Sequence, residues 1–491
     1  MILQHIYRPI LNFFYDKITF RLNDRTRKII LFVCFFAIFA AQFTSQYIFK
    51  FDGFNRGIRD YFICLMMGII ILVSVDRKLE IVKWNLWTYI PFTVTGLLLL
   101  IASLDHEMGP AYQAFPLAML VAFMCLFYVW GNRRDYEVLF DAAAGAYTLF
   151  TAILLVVCFI KYPAESSSYL PYDLQYAPFG INPNGTTKVF ITGIVAGMYL
   201  LVKPLPKVLF IGISLVVGGS AITVILTKCR AGEIILILLC VLIIVYGIMR
   251  LQKAGENRKA AVQKGVLGVL LVLSGCIIAW VMLFSIGSTG LKDKTQNNPE
   301  VQPTYEISSG RVEESRTDEE NITRRDKIDQ KLGTSMNELY QNPKIQQMDW
   351  FMAGRLSIWN VYFQNMTWRG SSELMFYDTE YAHNQYIELS YKAGIPTGII
   401  YLLFNLIAGF MTMVLFFKRK DAAGLVMLST FLMFFTISML DTGILPFERG
   451  FIFLYYIVLT PLFVKKQEKS RVSKINQRRP CRSIPKRSSF F

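Results

Sequence analysis

Two arginines and one histidine stand out in the sequence because each is expected to lie close to the surface of a membrane. Arg230 occupies a turn of a few residues between two apolar segments, Arg355 begins an amphipathic segment near 354–366, and His383 precedes a further apolar segment. A guanidinium stays charged at any working pH and binds two phosphate oxygens at once. An imidazole, whose unperturbed pKa is about 6.5, accepts a proton near neutral pH. Together these groups could bind a diphosphate and deprotonate a hydroxyl group.

Ordinary structural roles compete with this chemistry. Arginines at a membrane edge commonly contact lipid headgroups, and Trp and Tyr are common at any membrane interface. Trp359 and Tyr381 could stack on sugar rings, and Asn384 could orient the histidine or bind sugar. The remaining histidines, His5 and His106, lie in polar segments where solvation explains them.

The composition predicts that a membrane-embedded scaffold positions these residues. Of 491 residues, 54% are hydrophobic and only 18% are charged, whereas a soluble domain has about 25% charged residues. A membrane-spanning helix needs about 20 mostly apolar residues. Segments of this kind lie at 29–48, 60–75, 86–103, 111–130, 138–160, 186–202, 207–226, 231–249, 265–286, 393–417, 422–440 and 448–464. Because their apolar residues are continuous rather than alternating, we predict an all-α polytopic protein with about twelve transmembrane helices.

The distribution of positive charge predicts the orientation. If the N-terminus is cytoplasmic, most of the 51 Lys and Arg residues fall in cytoplasmic segments, as the positive-inside rule requires. The predicted order is a cytoplasmic segment 1–28, helices in 29–286, one large extracytoplasmic loop 287–392, helices in 393–464 and a basic cytoplasmic tail 465–491. The net charge of +16 then reflects topology and attraction to membrane lipid, and we expect no nucleic-acid partner.

Neither a metal ion nor a cofactor is predicted. The short outer loops contain no Asp-x-Asp pair, so the sequence does not predict a binding site for a divalent ion. The eight cysteines include no even-numbered outer set, which argues against a disulfide framework and against a Cys-x-x-Cys metal site.

Several short motifs resemble those of the O-antigen ligase and O-antigen polymerase (WaaL/Wzy-type) family. The motifs are Asn182-Pro183-Asn184, Cys229-Arg230-Ala231-Gly232, Gly354 to Trp359 with Trp four residues after Arg355, Ala382-His383-Asn384, and Ala393-Gly394-Ile395-Pro396-Thr397-Gly398. Their order, spacing and shared outer location carry the resemblance, which covers roughly residues 180–440.

The resemblance implies a GT-C-like, metal-independent glycosyltransferase of the inner membrane. Such an enzyme takes glycan from undecaprenyl diphosphate at the outer face and transfers it to an acceptor hydroxyl on a glycan, a lipid-A core or a protein. Arg230 and Arg355 would then bind the diphosphate, and His383 would act on the acceptor. Asn184 and Lys188, in and after the first motif, are further candidates for substrate binding.

Other functions stay open at this point. A twelve-helix transporter of polysaccharide precursors or other small molecules fits the number of spans, although transporters usually carry ionisable residues near the membrane midplane. A third hypothesis is a non-catalytic assembly scaffold.

Within the enzyme class, the sequence does not separate a ligase from a polymerase. The family often has a Pro- and Gly-rich stretch where residues 368–372 contain a single glycine, which leaves the acceptor open.

Overall fold

The computed structural model describes most of the apolar segments and part of the large loop. The described residues are 3–44, 53–105, 110–133, 135, 137–163, 175–180, 183–253, 258–285, 355–370, 382–441 and 450–465. Tyr381 and His106, named above, lie outside them, as do Asn182, Gly354 and nearly all of the basic tail.

The described chain is almost entirely helical. Its helices are α1 (Leu3–Lys17), α2 (Asp24–Phe43), α3 (Gly53–Ser74), α4 (Leu86–Asp105), α5 (Pro110–Asn132), α6 (Glu137–Lys161), α7 (Pro183–Leu201), α8 (Lys207–Leu226), α9 (Arg230–Lys253), α10 (Arg258–Ser285), α11 (Arg355–Gln364), α12 (Gln385–Ala393), α13 (Ile395–Arg419), α14 (Ala422–Leu440) and α15 (Gly450–Leu459). Two short strands, β1 (Lys83–Trp84) and β2 (Val464–Lys465), and 3-10 turns at Thr19–Arg21, Pro178–Gly180 and Thr460–Leu462 complete the order.

Eight described helices are long and apolar enough to cross a membrane: α2, α4, α6, α8, α9, α10, α13 and α14. This confirms the predicted all-α, multi-pass membrane protein. The remaining four predicted segments are also helical, in α3, α5, α7 and α15, but they do not meet both conditions within the described residues. The count of twelve spans therefore stays a prediction.

Helices α7 and α14 lie at the centre of the bundle. α7 packs against α6, α8, α9 and α14, and α14 also packs against α12, α13 and α15. The most apolar stretch of α14 is 72% buried, whereas those of α9 and α10 are 22% and 17% buried. Because a helix that is apolar all round and poorly covered by protein must face lipid, α9 and α10 form part of the lipid-facing periphery.

The helix ends fall into two groups at opposite ends of the bundle. At one end, the first turns of α7 meet the end of α14, where Lys188 Nζ lies 2.6 Å from Asp441 Oδ2. At the other end, the end of α7 meets the start of α6, where Lys203 Nζ lies 3.2 Å from Glu137 Oε2. We call these the site end and the basic end. The end of α13 also lies at the basic end, because Arg419 approaches Glu137 there.

A short antiparallel ladder at the basic end joins the segment before α4 to the segment after α15. Lys83 in β1 stands opposite Lys465 in β2. Beside the ladder, Asn85 Nδ2 and Thr88 Oγ1 donate hydrogen bonds to the Leu462 carbonyl, at 2.8 and 2.9 Å. These bonds satisfy an end of the 3-10 turn and fix the start of α4.

Candidate active site

Arg230 is held at the site end by the tight turn between α8 and α9. It is the exposed first residue of α9. The preceding Cys229 is buried and its thiol donates to Asn184 Oδ1 of α7 at 3.0 Å. A Cβ on Gly232 would lie 2.6 Å from Thr187 Cγ2, so only glycine lets the first turn of α9 approach α7 this closely. The small residues of the motif therefore fix the turn and place the arginine at an exposed position.

Arg355 is the half-buried first residue of α11. Burial lowers its pKa, the Asp441 carboxylate raises it, and the positive charge of Arg230 lowers it. A guanidinium remains protonated despite such shifts because its unperturbed pKa exceeds 12. Arg355 is therefore close enough to Arg230 and to Asp441 to interact electrostatically with both.

His383 faces Asp441 across the end of α14. The Nδ1 atom of His383 lies 3.4 Å from Asp441 Oδ1, while Asp441 Oδ2 pairs with Lys188. The His383 side chain is 31% exposed, against 10% for Asp441 and 12% for Lys188. The imidazole is thus the accessible member of this set, and the carboxylate and the ammonium lie behind it.

The Asp441 carboxylate is ionised because of its partners. Burial raises its pKa, but the Lys188 ammonium and the hydrogen bond from His383 more than offset burial and lower the pKa to about 2. An ionised carboxylate that accepts from Nδ1 favours the tautomer with a proton on Nδ1. In that tautomer Nε2 has a free lone pair and can accept a proton.

The backbone around His383 is fixed on both sides of the residue. His383 has a left-handed φ of 46°, which costs roughly 1–2 kcal/mol for a residue with a Cβ. Before it, the Ala382 carbonyl accepts from Trp359 Nε1 at 2.6 Å and the Ala382 amide donates to the buried Glu388 at 3.0 Å. After it, Asn384 begins α12. This frame holds the strained residue in one position.

Asn384 is the N-cap of α12. Its Oδ1 accepts from the amides of Tyr386 and Ile387, at 3.0 and 3.2 Å, and its Nδ2 donates to the Met439 carbonyl at 3.1 Å. Both ends of the amide are therefore committed within the protein. Of the two roles predicted for Asn384, this arrangement favours orienting the histidine over binding sugar.

Replacing Asn384 by alanine is expected to remove the cap and to loosen His383. A lost N-cap costs about 1 kcal/mol, so the melting temperature should fall. Asn23, which caps α2 through the amide of Thr26 at 2.8 Å, offers a matched control far from the site. Thermal unfolding in detergent should show similar losses for Asn384→Ala and Asn23→Ala, with the activity proposed below reduced only in Asn384→Ala. Equal losses of activity would contradict a specific role for Asn384.

Two glycines join the end of the described part of the loop to the start of α13. Gly370 and Gly394 have φ values of 93° and 89°. A Cβ on Gly370 would lie 2.8 Å from the Lys392 carbonyl carbon, and one on Gly394 would lie 2.9 Å from the Trp368 carbonyl carbon. Glycine is therefore required at both positions by close backbone packing, which holds the segment after α11 against the junction of α12 and α13.

Most of the predicted site residues meet at the site end. Arg230, Arg355 and His383 lie there, as do Asn184, Lys188, Asn384 and Trp359, at helix ends or in the turns beside them. Trp359 uses its indole nitrogen within the frame of His383, while its half-buried ring could still stack on sugar. Tyr381 falls outside the described residues, so its role stays a prediction.

Asp441 is the residue of this site that sequence reasoning missed. It lies 58 positions after His383, and no local motif links the two. One signal was available, because Asp441 is an acidic residue at the very end of an apolar helix. A carboxylate at the edge of a membrane usually has a partner.

No group of three or more His, Cys, Asp or Glu side chains suited to a metal ion occurs in the part of the chain that the structure describes. The site end instead combines three cationic side chains, those of Lys188, Arg230 and Arg355, with the carboxylate that Lys188 and His383 contact. Comparison of this chain with family models, curated proteins and solved structures gives no match.

Proposed function

We propose that this protein transfers a glycan from a polyprenyl diphosphate, such as undecaprenyl diphosphate, to an acceptor hydroxyl group at the extracytoplasmic surface of the membrane. The observation that carries the proposal is the meeting of Arg230, Arg355 and the His383–Asp441 pair at one end of the bundle. The charged diphosphate of such a lipid lies at the membrane surface, which is also where an end of a membrane-spanning bundle lies. The order of motifs that resembles the O-antigen ligase and polymerase family supports the same reaction.

The two arginines suit the donor. Breaking the bond between the anomeric carbon and the diphosphate leaves the bonding electrons on a phosphate oxygen. Fixed guanidinium groups stabilise this developing charge, and they do so more strongly in a partly water-excluded site. The half-buried Arg355 and the exposed Arg230 could bind the two phosphates, and the N-terminus of α9 also favours an anion.

The histidine suits the acceptor. As the acceptor oxygen attacks the anomeric carbon, its proton moves to Nε2 of His383. Asp441 accepts a hydrogen bond from Nδ1–H and stabilises the imidazolium that forms, which makes Asp441 a positioning residue. In this step His383 gains the proton, and the acceptor oxygen forms the new glycosidic bond. The diphosphate leaves with the electrons of the broken bond.

The distribution of charge supports an outward-facing site. The basic end carries Lys203, Lys418, Arg419 and Lys420, and the basic tail begins after β2 at the same end. Positive residues favour the cytoplasmic side, so the site end would face outward. On that side of the membrane nucleotide sugars are scarce, whereas a lipid carrier delivers the glycan directly.

The test uses membrane vesicles of known orientation that contain the protein. The donor is a fluorescent glycan on undecaprenyl diphosphate, and the acceptors are water-soluble analogues of a lipid-A core and of a short-chain lipid-linked glycan, added outside. Right-side-out vesicles should convert donor and acceptor into a labelled product and release undecaprenyl diphosphate. Inverted vesicles should not. The acceptor that is used distinguishes a ligase from a polymerase.

Three outcomes would contradict the proposal. Uptake of labelled glycan without any transfer would favour the transporter, and equal transfer in inverted vesicles would contradict the orientation. Transfer that persists unchanged in a His383→Ala, Arg355→Ala double variant would assign the reaction to another protein in the membrane.

A further inference from the structure

A cleft at the basic end opens on the lipid-facing surface, away from the candidate active site. It has a volume of about 330 Å³ and lies between the last turns of α13 and the 3-10 turn Thr460–Leu462. Phe410 and Val414 of α13, Pro461 and Leu462 of the 3-10 turn, and Lys465 of β2 are among the residues that line it. Volumes of about 300–1,000 Å³ are typical of ligand pockets.

The interior of the cleft is suited to a hydrocarbon chain. Its one polar side chain other than Lys465, that of Asn85, is 5% exposed and already donates to the Leu462 carbonyl. A water molecule inside would need two to four polar partners, which these walls do not offer. Phe410 is 64% exposed and Val414 is 46% exposed, so the opening faces the acyl region of a membrane.

One residue that lines this cleft, Lys465, lies opposite a second lysine, Lys83, in the ladder between β1 and β2. The side chains of directly opposite residues in an antiparallel ladder emerge on the same face, about 5 Å apart at Cβ, and like charges so placed are destabilising. Lys83 and Lys465 are opposite each other and both are exposed. Among the described carboxylates, none forms an ion pair with either lysine. An anion placed between the two ammonium groups would remove their repulsion.

The depth of these lysines matches that of lipid headgroups. Trp87, in the first turn of α4, is 71% exposed, and exposed tryptophans are concentrated at the membrane interface. Lys418 lies one turn beyond Val414 on α13, and residues four apart share a helix face. The apolar cleft therefore ends where positive side chains and an interfacial tryptophan begin.

We propose that this cleft binds one anionic phospholipid, with its phosphate between Lys83 and Lys465 and part of an acyl chain between α13 and the 3-10 turn. A bound lipid would join the segment before α4 to the segment after α15, and it would compensate a charge pair that otherwise weakens the ladder. This site is independent of the proposed transfer reaction.

Native mass spectrometry of the purified full-length protein tests the site. The probes are phosphatidylglycerol and phosphatidylcholine with identical acyl chains, added to delipidated protein in detergent. We expect phosphatidylglycerol to bind more tightly, and Lys83→Gln, Lys465→Gln to lower its affinity about tenfold without changing that of phosphatidylcholine. Val414→Trp, which fills the cleft, should also weaken phosphatidylglycerol binding.

The matched control is Lys28→Gln, Lys207→Gln, which removes two exposed lysines elsewhere in the chain. This variant should bind phosphatidylglycerol as the wild type does. Melting temperatures establish that all variants are folded, and none of the four lysines belongs to the candidate active site. Equal affinity of the wild type for the two lipids, or equal losses in the two double variants, would overturn the proposal.

Discussion

Replacing Arg355 by alanine is expected to slow the proposed glycan transfer by about 10²–10³-fold, because one of the two guanidinium groups proposed to bind the departing diphosphate is lost. The initial rate of transfer by purified protein in liposomes measures this. If the guanidinium acts mainly in the transition state, kcat should fall while KM changes little. Arg355→Lys should be intermediate, since an ammonium keeps the charge and loses the bidentate geometry. Arg230→Ala should show a loss of similar size.

Arg369 provides the control for Arg355. It is exposed, lies shortly after α11 in the same segment of the loop and makes no ion pair with another described residue. Arg369→Ala removes the same charge from the same region and should leave the rate within about twofold, as is usual for an exposed residue. If Arg355→Ala and Arg369→Ala behaved alike, the arginines would act as headgroup anchors.

The second large effect is expected at the histidine and its carboxylate. His383→Ala should lower kcat by about 10²–10⁴-fold, the usual contribution of a general base. Asp441→Asn should lower kcat by about 10²-fold with little change in KM, because the neutral amide no longer stabilises the imidazolium. Asp441→Glu keeps the charge and should recover part of the rate, which a purely packing role of Asp441 would not predict.

The stability of Asp441→Asn provides an independent pH test. Since the pKa of Asp441 falls from 3.8 to about 2 on folding, ionisation contributes stability that is complete above about pH 4 and is lost as the pH falls through 2. The difference in melting temperature between wild type and Asp441→Asn should therefore narrow as the pH falls from about 4 to 2. A difference that already narrows near neutral pH would contradict the assignment of the low pKa to Asp441.

Local patterns were sufficient to predict the ends of several elements at the site. The sequence predicts an amphipathic helix near 354–366, and α11 spans Arg355–Gln364, although its side chains do not separate into an apolar and a polar face. The turn around Arg230 was expected between two apolar helices, and it joins α8 to α9. Such predictions succeed because hydropathy and small residues act over a few positions.

Local sequence patterns could not predict the contacts between side chains that lie far apart in the sequence. The contacts of Asp441 with His383 and Lys188 depend on how α7, α12 and α14 pack, which no local spacing determines. Eight of the twelve predicted spans meet the conditions of length and hydropathy for crossing a membrane, and α7 is not among them. The first turns of α7 carry Asn184 and Lys188, which belong to the site and lower the hydropathy of a helix at the centre of the bundle.

The ladder between β1 and β2 has a consequence for how the chain matures in the membrane. Synthesis proceeds from the N-terminus, and early segments begin to fold before late ones exist. Asn85, just before α4, donates a hydrogen bond to the Leu462 carbonyl, and His383 contacts the carboxylate of Asp441. A nascent chain can therefore have inserted most of its helices while both regions still lack their partners. Residues 441–462 complete both the site end and the basic end, so neither end is complete before the chain has been synthesised beyond α15.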